Sequence, residues 1–170
     1  MNSWVYGKLN KKEDGYYIDD EWILFHYEKK ELIKGVELLC KKYKFESVLE
    51  LGFGAGWTST KFQNQGIKRH VILEPNKDAY KKALEWNKNY NAEILNIFSW
   101  EYEPNEKFDL IYDDIVEFGS TKEKHYTFQN KFKNQWYTKC AYPTHNEISN
   151  NYPIDFELNK TKYRQNLRRI

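Results

Sequence analysis

Three observations predict a doubly wound, mainly parallel α/β sheet for this chain of 170 residues. Short apolar runs alternate with segments of helical period. Turn residues bound most of the runs. Strands that alternate with helices need crossover connections, which pair strands in parallel.

The elements follow in order. Leu32, Ile33, Val36, Leu39 and Cys40 keep helical spacing and predict a helix over Glu28–Tyr43. Ser47-Val-Leu-Glu-Leu51 reads as a strand running into Gly52-Phe-Gly-Ala-Gly56, with a helix from near Gly56 to before Gly66. His70–Glu74 is a second buried strand. Asn76 is a good N-cap for a helix that places Tyr80, Ala83, Leu84 and Asn87 on one face. Ala92–Asn96 and Phe108–Asp113 are the third and fourth strands. Between Thr121 and Thr138, Phe128, Phe132 and Trp136 form a helical stripe. After Cys140 the pattern fails: Pro143, Pro153 and Ser149–Asn151 mark loops, and only Ile154, Phe156 and Leu158 alternate. Residues 1–27 mix aromatics with charges and carry no clear period.

Length and mass, 20.7 kDa, suit one domain over residues 1–170, with an N-terminal segment at 1–27 and an irregular C-terminal segment at 139–170. The mean hydropathy of −0.92 would suit a disordered chain, but 18% aromatic residues supply the burial that disorder lacks. No apolar run approaches a membrane span. The net charge of +2 names no polyanionic partner. Lys160, Lys162, Arg164, Arg168 and Arg169 read as a solvated tail rather than a nucleic-acid contact. Cys40 and Cys140 form no CxxC pair, four histidines show no ligand spacing, and no apolar signal segment opens the chain. The expectation is a cytoplasmic protein with no metal centre.

The glycine segment carries the chemistry. In an open parallel sheet, ligands bind beyond the carboxyl ends of the strands at the switch point. Gly52, Gly54 and Gly56 let a ligand approach the backbone, and the following helix offers free N–H groups. A dinucleotide fingerprint would need glycine where Trp57 stands, and no GK[ST] follows, so the ligand carries no pyrophosphate. Glu74 ends the second strand, where a carboxylate can accept two hydrogen bonds from a ribose diol.

With these residues in place, the sequence resembles the class I S-adenosylmethionine-dependent methyltransferases, of Rossmann-like fold. Residues 47–56 look like their first motif, Val71–Glu74 like the second and Phe108–Asp113 like the fourth. Within that class it is most similar to guanidinoacetate methyltransferase and related arginine N-methyltransferases. The residues that carry this are Leu49-Glu-Leu-Gly-Phe-Gly54, His70-Val-Ile-Leu-Glu-Pro-Asn76, Asp109-Leu-Ile-Tyr-Asp113 and the pair Tyr27-Glu28. Ser99-Trp100 falls where the family has Leu-Trp beside the adenine, and His125–Trp136 weakly matches another family segment.

The resemblance implies S-adenosylmethionine as cofactor, contacted by Glu50, Gly52, Phe53, Gly54, Gly56, Glu74, Ser99, Trp100 and Asp113. It implies methyl transfer to nitrogen of a small, cationic guanidino or amino compound. A guanidinium must lose a proton to present a lone pair, and Asp113 is the candidate base. Glu28 is the second catalytic candidate, clamping the guanidinium by a charge-assisted pair. Asp114 and Glu117 add negative potential.

The family continues with a Pro-Gly-Gly turn, a fifth strand and an antiparallel pair. No such turn follows Thr138, and residues 139–170 number only 32. The expected sheet is therefore shorter than the family's seven strands, with an edge that favours a covering segment or a homo-oligomer. Two alternatives stay open: an enzyme that cleaves or rearranges the cofactor without an acceptor, and a non-catalytic binding or assembly module.

Overall fold

The computed structural model describes residues 3–103, 106–115, 124 and 137–141. A short helix α1 (Ser3–Tyr6) precedes three strands, β1 (Leu9–Lys11), β2 (Gly15–Ile18) and β3 (Glu21–Phe25), which form an antiparallel sheet in the order β1-β2-β3. Helix α2 (Glu28–Lys42) leads to β4 (Ser47–Leu51), α3 (Trp57–Asn64), β5 (Arg69–Leu73) and α4 (Lys77–Trp86). Then come β6 (Glu93–Leu95), β7 (Phe108–Asp113) and β8 (Tyr137–Ala141), with short 3-10 turns at Asn87–Asn89 and Ser99–Glu101.

The second sheet has five strands in the order β6-β5-β4-β7-β8, and every pair is parallel. From β4 the chain steps outward through β5 to β6, then returns to β7 on the other side of β4. The order therefore reverses between β4 and β7, and the loops after those two strands flank a switch point.

The apolar runs form the central strands because both faces are covered. Val48, Leu49, Leu51, Val71, Ile72, Leu110 and Ile111 are all fully enclosed. On one face Val48, Leu110 and Tyr112 pack with Val36, Leu39 and Phe62 of α2 and α3. Leu49, Leu51, Val71, Leu73 and Ile111 form a separate cluster, flanked by Ile97, Trp100 and Tyr102. The helix predicted over Glu28–Tyr43 ends one residue earlier, at Lys42, and Asn76 caps α4 as expected. The buried face of α4 is set by Ala79 and Ala83, while Leu84, expected inward, is exposed.

Two expectations need correction. The C-terminal segment 139–170, expected to be irregular, begins inside a fifth parallel strand, because β8 runs over Tyr137–Ala141 and pairs with β7. The stripe residues 128, 132 and 136, the segment His125–Trp136, and Glu117, Ile154, Phe156 and Leu158 lie outside the described residues. The second concerns the segment 1–27, in which the sequence offers no clear period: residues 3–25 build α1 and the antiparallel sheet. Among the described residues no helix is long and apolar enough to cross a membrane, and no group of histidine, cysteine and acidic residues could hold a metal.

Candidate functional site

The glycine turn leaves β4 with backbone that only glycine adopts readily: Gly52, Gly54 and Gly56 have φ of 87°, 55° and 71°. Gly52 N–H donates to Leu73 O at 2.8 Å, and Asp114 N–H reaches Leu51 O at 3.4 Å. The three strand ends β5, β4 and β7 are thus stitched together at their carboxyl edge.

Glu74 follows β5 at that edge. Its Oε2 accepts the N–H of Phe53 at 2.9 Å and of Gly54 at 3.5 Å, while Oε1 accepts the N–H of Asn76 at 2.9 Å. The carboxylate therefore holds the glycine turn in place. Burial pushes the Glu74 carboxyl up from its ordinary value, and the three backbone N–H groups pull the other way. A carboxylate has about four lone-pair positions, so the three backbone N–H bonds leave capacity for about one hydroxyl donor.

That shift has a stability consequence. A carboxyl whose folded pKa is raised binds its proton more tightly in the native state than unfolded, so stability falls as pH rises through the folded pKa. Thermal denaturation of the ligand-free protein, scanned upward from the ordinary carboxylate range at about pH 4, is expected to show this decline. Glu74→Gln is expected to flatten it, so that the difference in Tm between the two proteins changes with pH. Parallel curves would show that Glu74 does not titrate differently on unfolding.

Ser99 and Trp100 lie in the 3-10 turn after β6. Ser99 is 3% exposed, and its hydroxyl has no hydrogen-bond partner among the described residues. Trp100 stacks on Phe98 with ring centroids 4.3 Å apart and an interplanar angle of 12°. Asp113 ends β7, buried, with Oδ1 3.4 Å from the Ile115 N–H. Glu28 opens α2 and accepts the Phe25 N–H at 2.9 Å, which joins that helix to the end of β3.

Glu50 departs from expectation. It is fully enclosed, Thr58 Oγ donates to its Oε1, and His70 Nε2 lies 3.0 Å from its Oε2. Gln63 Nε2 contacts His70 Nδ1 at 3.0 Å, completing a chain from α3 through β4 to β5 and back. Both oxygens are committed to interior partners, so Glu50 braces α3 against the sheet. An open cavity of about 680 Å³ along α2 is lined by His26, Lys29, Lys30, Ile33, Lys34 and Glu37, none of them a predicted site residue.

Two features of the neighbourhood lacked a clear sequence signal. Asn96 Nδ2 donates to the carbonyls of Glu74 and Pro75 at 2.8 and 3.1 Å. The N-terminal sheet reaches the glycine turn, with Tyr16 edge-on to Trp57 at 5.8 Å and Leu24 Cδ2 3.8 Å from where a Gly54 side chain would begin.

A glycine turn at the switch point, a strand-terminal carboxylate bound to that turn and a five-stranded parallel sheet define the class I S-adenosylmethionine-dependent methyltransferase fold. Residues 38–169 match the guanidinoacetate N-methyltransferase family. The chain belongs to that family.

One solved structure agrees on the fold, and two more are similar over about half of the chain. The Trypanosoma brucei PRMT1 enzyme–prozyme complex with AdoHcy is 16% identical, with a TM-score of 0.52 over 68% of this chain and 38% of that one. The N-methyltransferase NodS of Bradyrhizobium japonicum WM9, in complex with S-adenosylhomocysteine, is 20% identical, with a TM-score of 0.46 over 51% and 44%. A methyltransferase of Clostridium acetobutylicum ATCC 824 is 17% identical, with a TM-score of 0.45 over 50% and 36%. The chain spans less than half the length of each of these proteins. Among curated proteins no relative matches.

Proposed function

We propose that this chain binds S-adenosylmethionine and transfers its methyl group to nitrogen of a small guanidino or amino compound. One observation carries the reading: the glycine turn, Glu74 and Asp113 meet at the carboxyl edge of β4, β5 and β7, inside the span that matches the family.

The residues present fit the cofactor. The buried Ser99 hydroxyl, unpartnered among the described residues, and the neighbouring Trp100 ring offer a polar and a stacking contact for an adenine. Glu74 has acceptor capacity for a ribose hydroxyl, with a second available where the long Gly54 contact yields, and Gly52, Phe53, Gly54 and Gly56 present backbone to the remainder. When bound, S-adenosylmethionine supplies an electrophilic methyl group on a sulfonium. The protein's part is mostly positioning. Asp113 orients the acceptor cation and takes its proton as the nitrogen lone pair is used. Glu28 pairs with the far side of the cation while its Phe25 contact fixes the carboxylate. The domain is read as one unit over residues 1–170, acting in a reducing cytoplasm, where the free thiol of Cys40 is stable.

Incubation with methyl-labelled S-adenosylmethionine and either guanidinoacetate or arginine tests the proposal. Labelled methyl product on either compound is the expected result. Consumption of the cofactor without an acceptor would replace transfer by cleavage or rearrangement. Binding without turnover would leave a non-catalytic module.

A further inference from the structure

Asn76 carries more hydrogen bonds than an N-cap requires. Its Oδ1 accepts the N–H groups of Asp78 and Ala79 at 3.0 and 2.8 Å, which caps α4. Serine, threonine or aspartate would do as much. The amide nitrogen is the addition: Nδ2 donates to the carbonyls of Trp4 at 2.7 Å and Gly7 at 2.9 Å. The residue is fully enclosed, and both donors and both acceptor positions of its amide are filled. Its backbone N–H is the one that bonds Glu74 Oε1 at 2.9 Å. A single residue therefore links the N-terminal segment, the start of α4 and the strand-terminal carboxylate.

The following positions of α4 extend the dock. Asp78 Oδ2 accepts the Leu9 N–H at 3.0 Å, and Lys82 Nζ donates to Leu9 O at 2.6 Å. Ala79 packs with Leu9 and Ile18, and Lys77 Nζ sits 4.4 Å from the centre of the Tyr6 ring. The sheet that continues from this segment meets the glycine turn through Tyr16 and Leu24. The N-terminal residues thus touch both backbone elements that Glu74 holds.

We infer that Asn76 is a positioning residue that couples docking of the N-terminal segment, residues 4–18, to occupancy of the site at Glu74. The inference rests on the ribose role proposed for Glu74. A ligand that fixes the Glu74 carboxylate also fixes the turn to Asn76, and so removes freedom that docking the segment must otherwise remove. Linkage makes this reciprocal: a docked segment tightens the ligand by the factor by which the ligand tightens the segment.

Amide hydrogen exchange of the full chain, with and without S-adenosylhomocysteine, tests this. In the wild type the ligand is expected to slow exchange across residues 7–18 by about threefold or more, a modest coupling on the scale of such effects. Asn76→Ser keeps an oxygen for the cap and loses both donors. In that variant the response of residues 7–18 is expected to vanish while slowing at Phe53 and Gly54 persists. Its Kd for S-adenosylhomocysteine is expected to rise by that same factor, about threefold or more, because the coupling is reciprocal.

A wild-type segment indifferent to bound S-adenosylhomocysteine overturns the coupling, as does a full response in Asn76→Ser. The wild-type arm decides alone if the variant does not fold. Failure of the wild type to bind S-adenosylhomocysteine would overturn the cofactor reading itself, whereas binding without a segment response overturns only the coupling.

Discussion

Gly56→Ala is expected to destabilise the protein by about 2–5 kcal/mol, as the sum of two separable costs. The first is conformational. Gly56 has φ of 71°, where an L side chain costs about 1–2 kcal/mol through its clash with the following carbonyl. The second is steric. A Cβ at this position would stand 2.6 Å from Cζ and 2.9 Å from Cε2 of Phe53, closer than carbon atoms approach. Phe53 is itself buried against Ile72, Ala83 and Ile94, so its ring cannot swing aside freely. Forcing such a contact costs about 1–3 kcal/mol.

Gly66 supplies the control, with φ of 82° and nothing within 4 Å of its would-be Cβ. Gly66→Ala is expected to show the conformational cost alone, about 1–2 kcal/mol. Urea denaturation of both variants with linear extrapolation separates the two costs. Adding Phe53→Ala to Gly56→Ala should yield a favourable coupling in a double-mutant cycle. Equal losses for Gly56→Ala and Gly66→Ala would show that Phe53 does not confine the turn. The defect should extend to the site, because the Phe53 N–H is a donor to Glu74.

The central sheet was legible because its strands are enclosed on both faces and therefore read as continuous apolar runs. Phe108–Asp113 matches the observed strand residue for residue, and the strand expected at His70–Glu74 lies one residue later than observed. The N-terminal sheet was not legible. Its strands are three to five residues long, and Trp22, Ile23, Leu24 and Phe25 of β3 are all half-buried, so neither a period of two nor a buried run appears. The β2–β3 turn uses Asp19 at φ of 53° where glycine or asparagine would have announced it. Asp14-Gly15 was the available signal, a hairpin dipeptide between aromatic and charged residues. Strand β8 hid for a different reason. Tyr137-Thr-Lys-Cys-Ala141 has strand formers around a lysine, and it straddles residue 139, where the irregular C-terminal segment was expected to begin.

The site divides along the same line. Spacing placed Glu74 at a strand end beside the glycines, and the hydrogen bonds to Phe53 and Gly54 join them. Spacing could not separate Glu50 from Glu74, since both are acidic residues within strand motifs. Only the alternation of faces does so: Glu50 lies within β4 and points at Thr58 and His70, while Glu74 stands just beyond the end of β5. The tether made by Asn76 was equally hidden, because its partners are backbone carbonyls some seventy residues earlier in the chain.

Asp113→Asn is expected to lower methyl transfer by about 10²–10⁴-fold, the range that a positioned general base contributes. The argument starts from its place in the sheet. Asp113 is the last residue of β7, paired with Leu51 of β4, so it stands directly beside the start of the glycine turn at the switch point. It is 3% exposed, which shields its charge from water and strengthens its hold on a cation. Asparagine keeps the shape and can still accept one hydrogen bond from a guanidinium, but it cannot take a proton. The loss should therefore fall on kcat more than on KM. Glu74 and the glycine turn are untouched, so the Kd for S-adenosylhomocysteine should change by less than about threefold, under 1 kcal/mol. Glu28→Gln makes the comparison informative. On the proposed roles it removes a charge that orients the acceptor and leaves the base in place, so KM for the acceptor should rise more than kcat falls. Rapid-quench and steady-state assays on both variants distinguish these patterns. Wild-type kcat in Asp113→Asn would remove Asp113 as the base, and a matched fall in S-adenosylhomocysteine affinity would make it a cofactor contact instead.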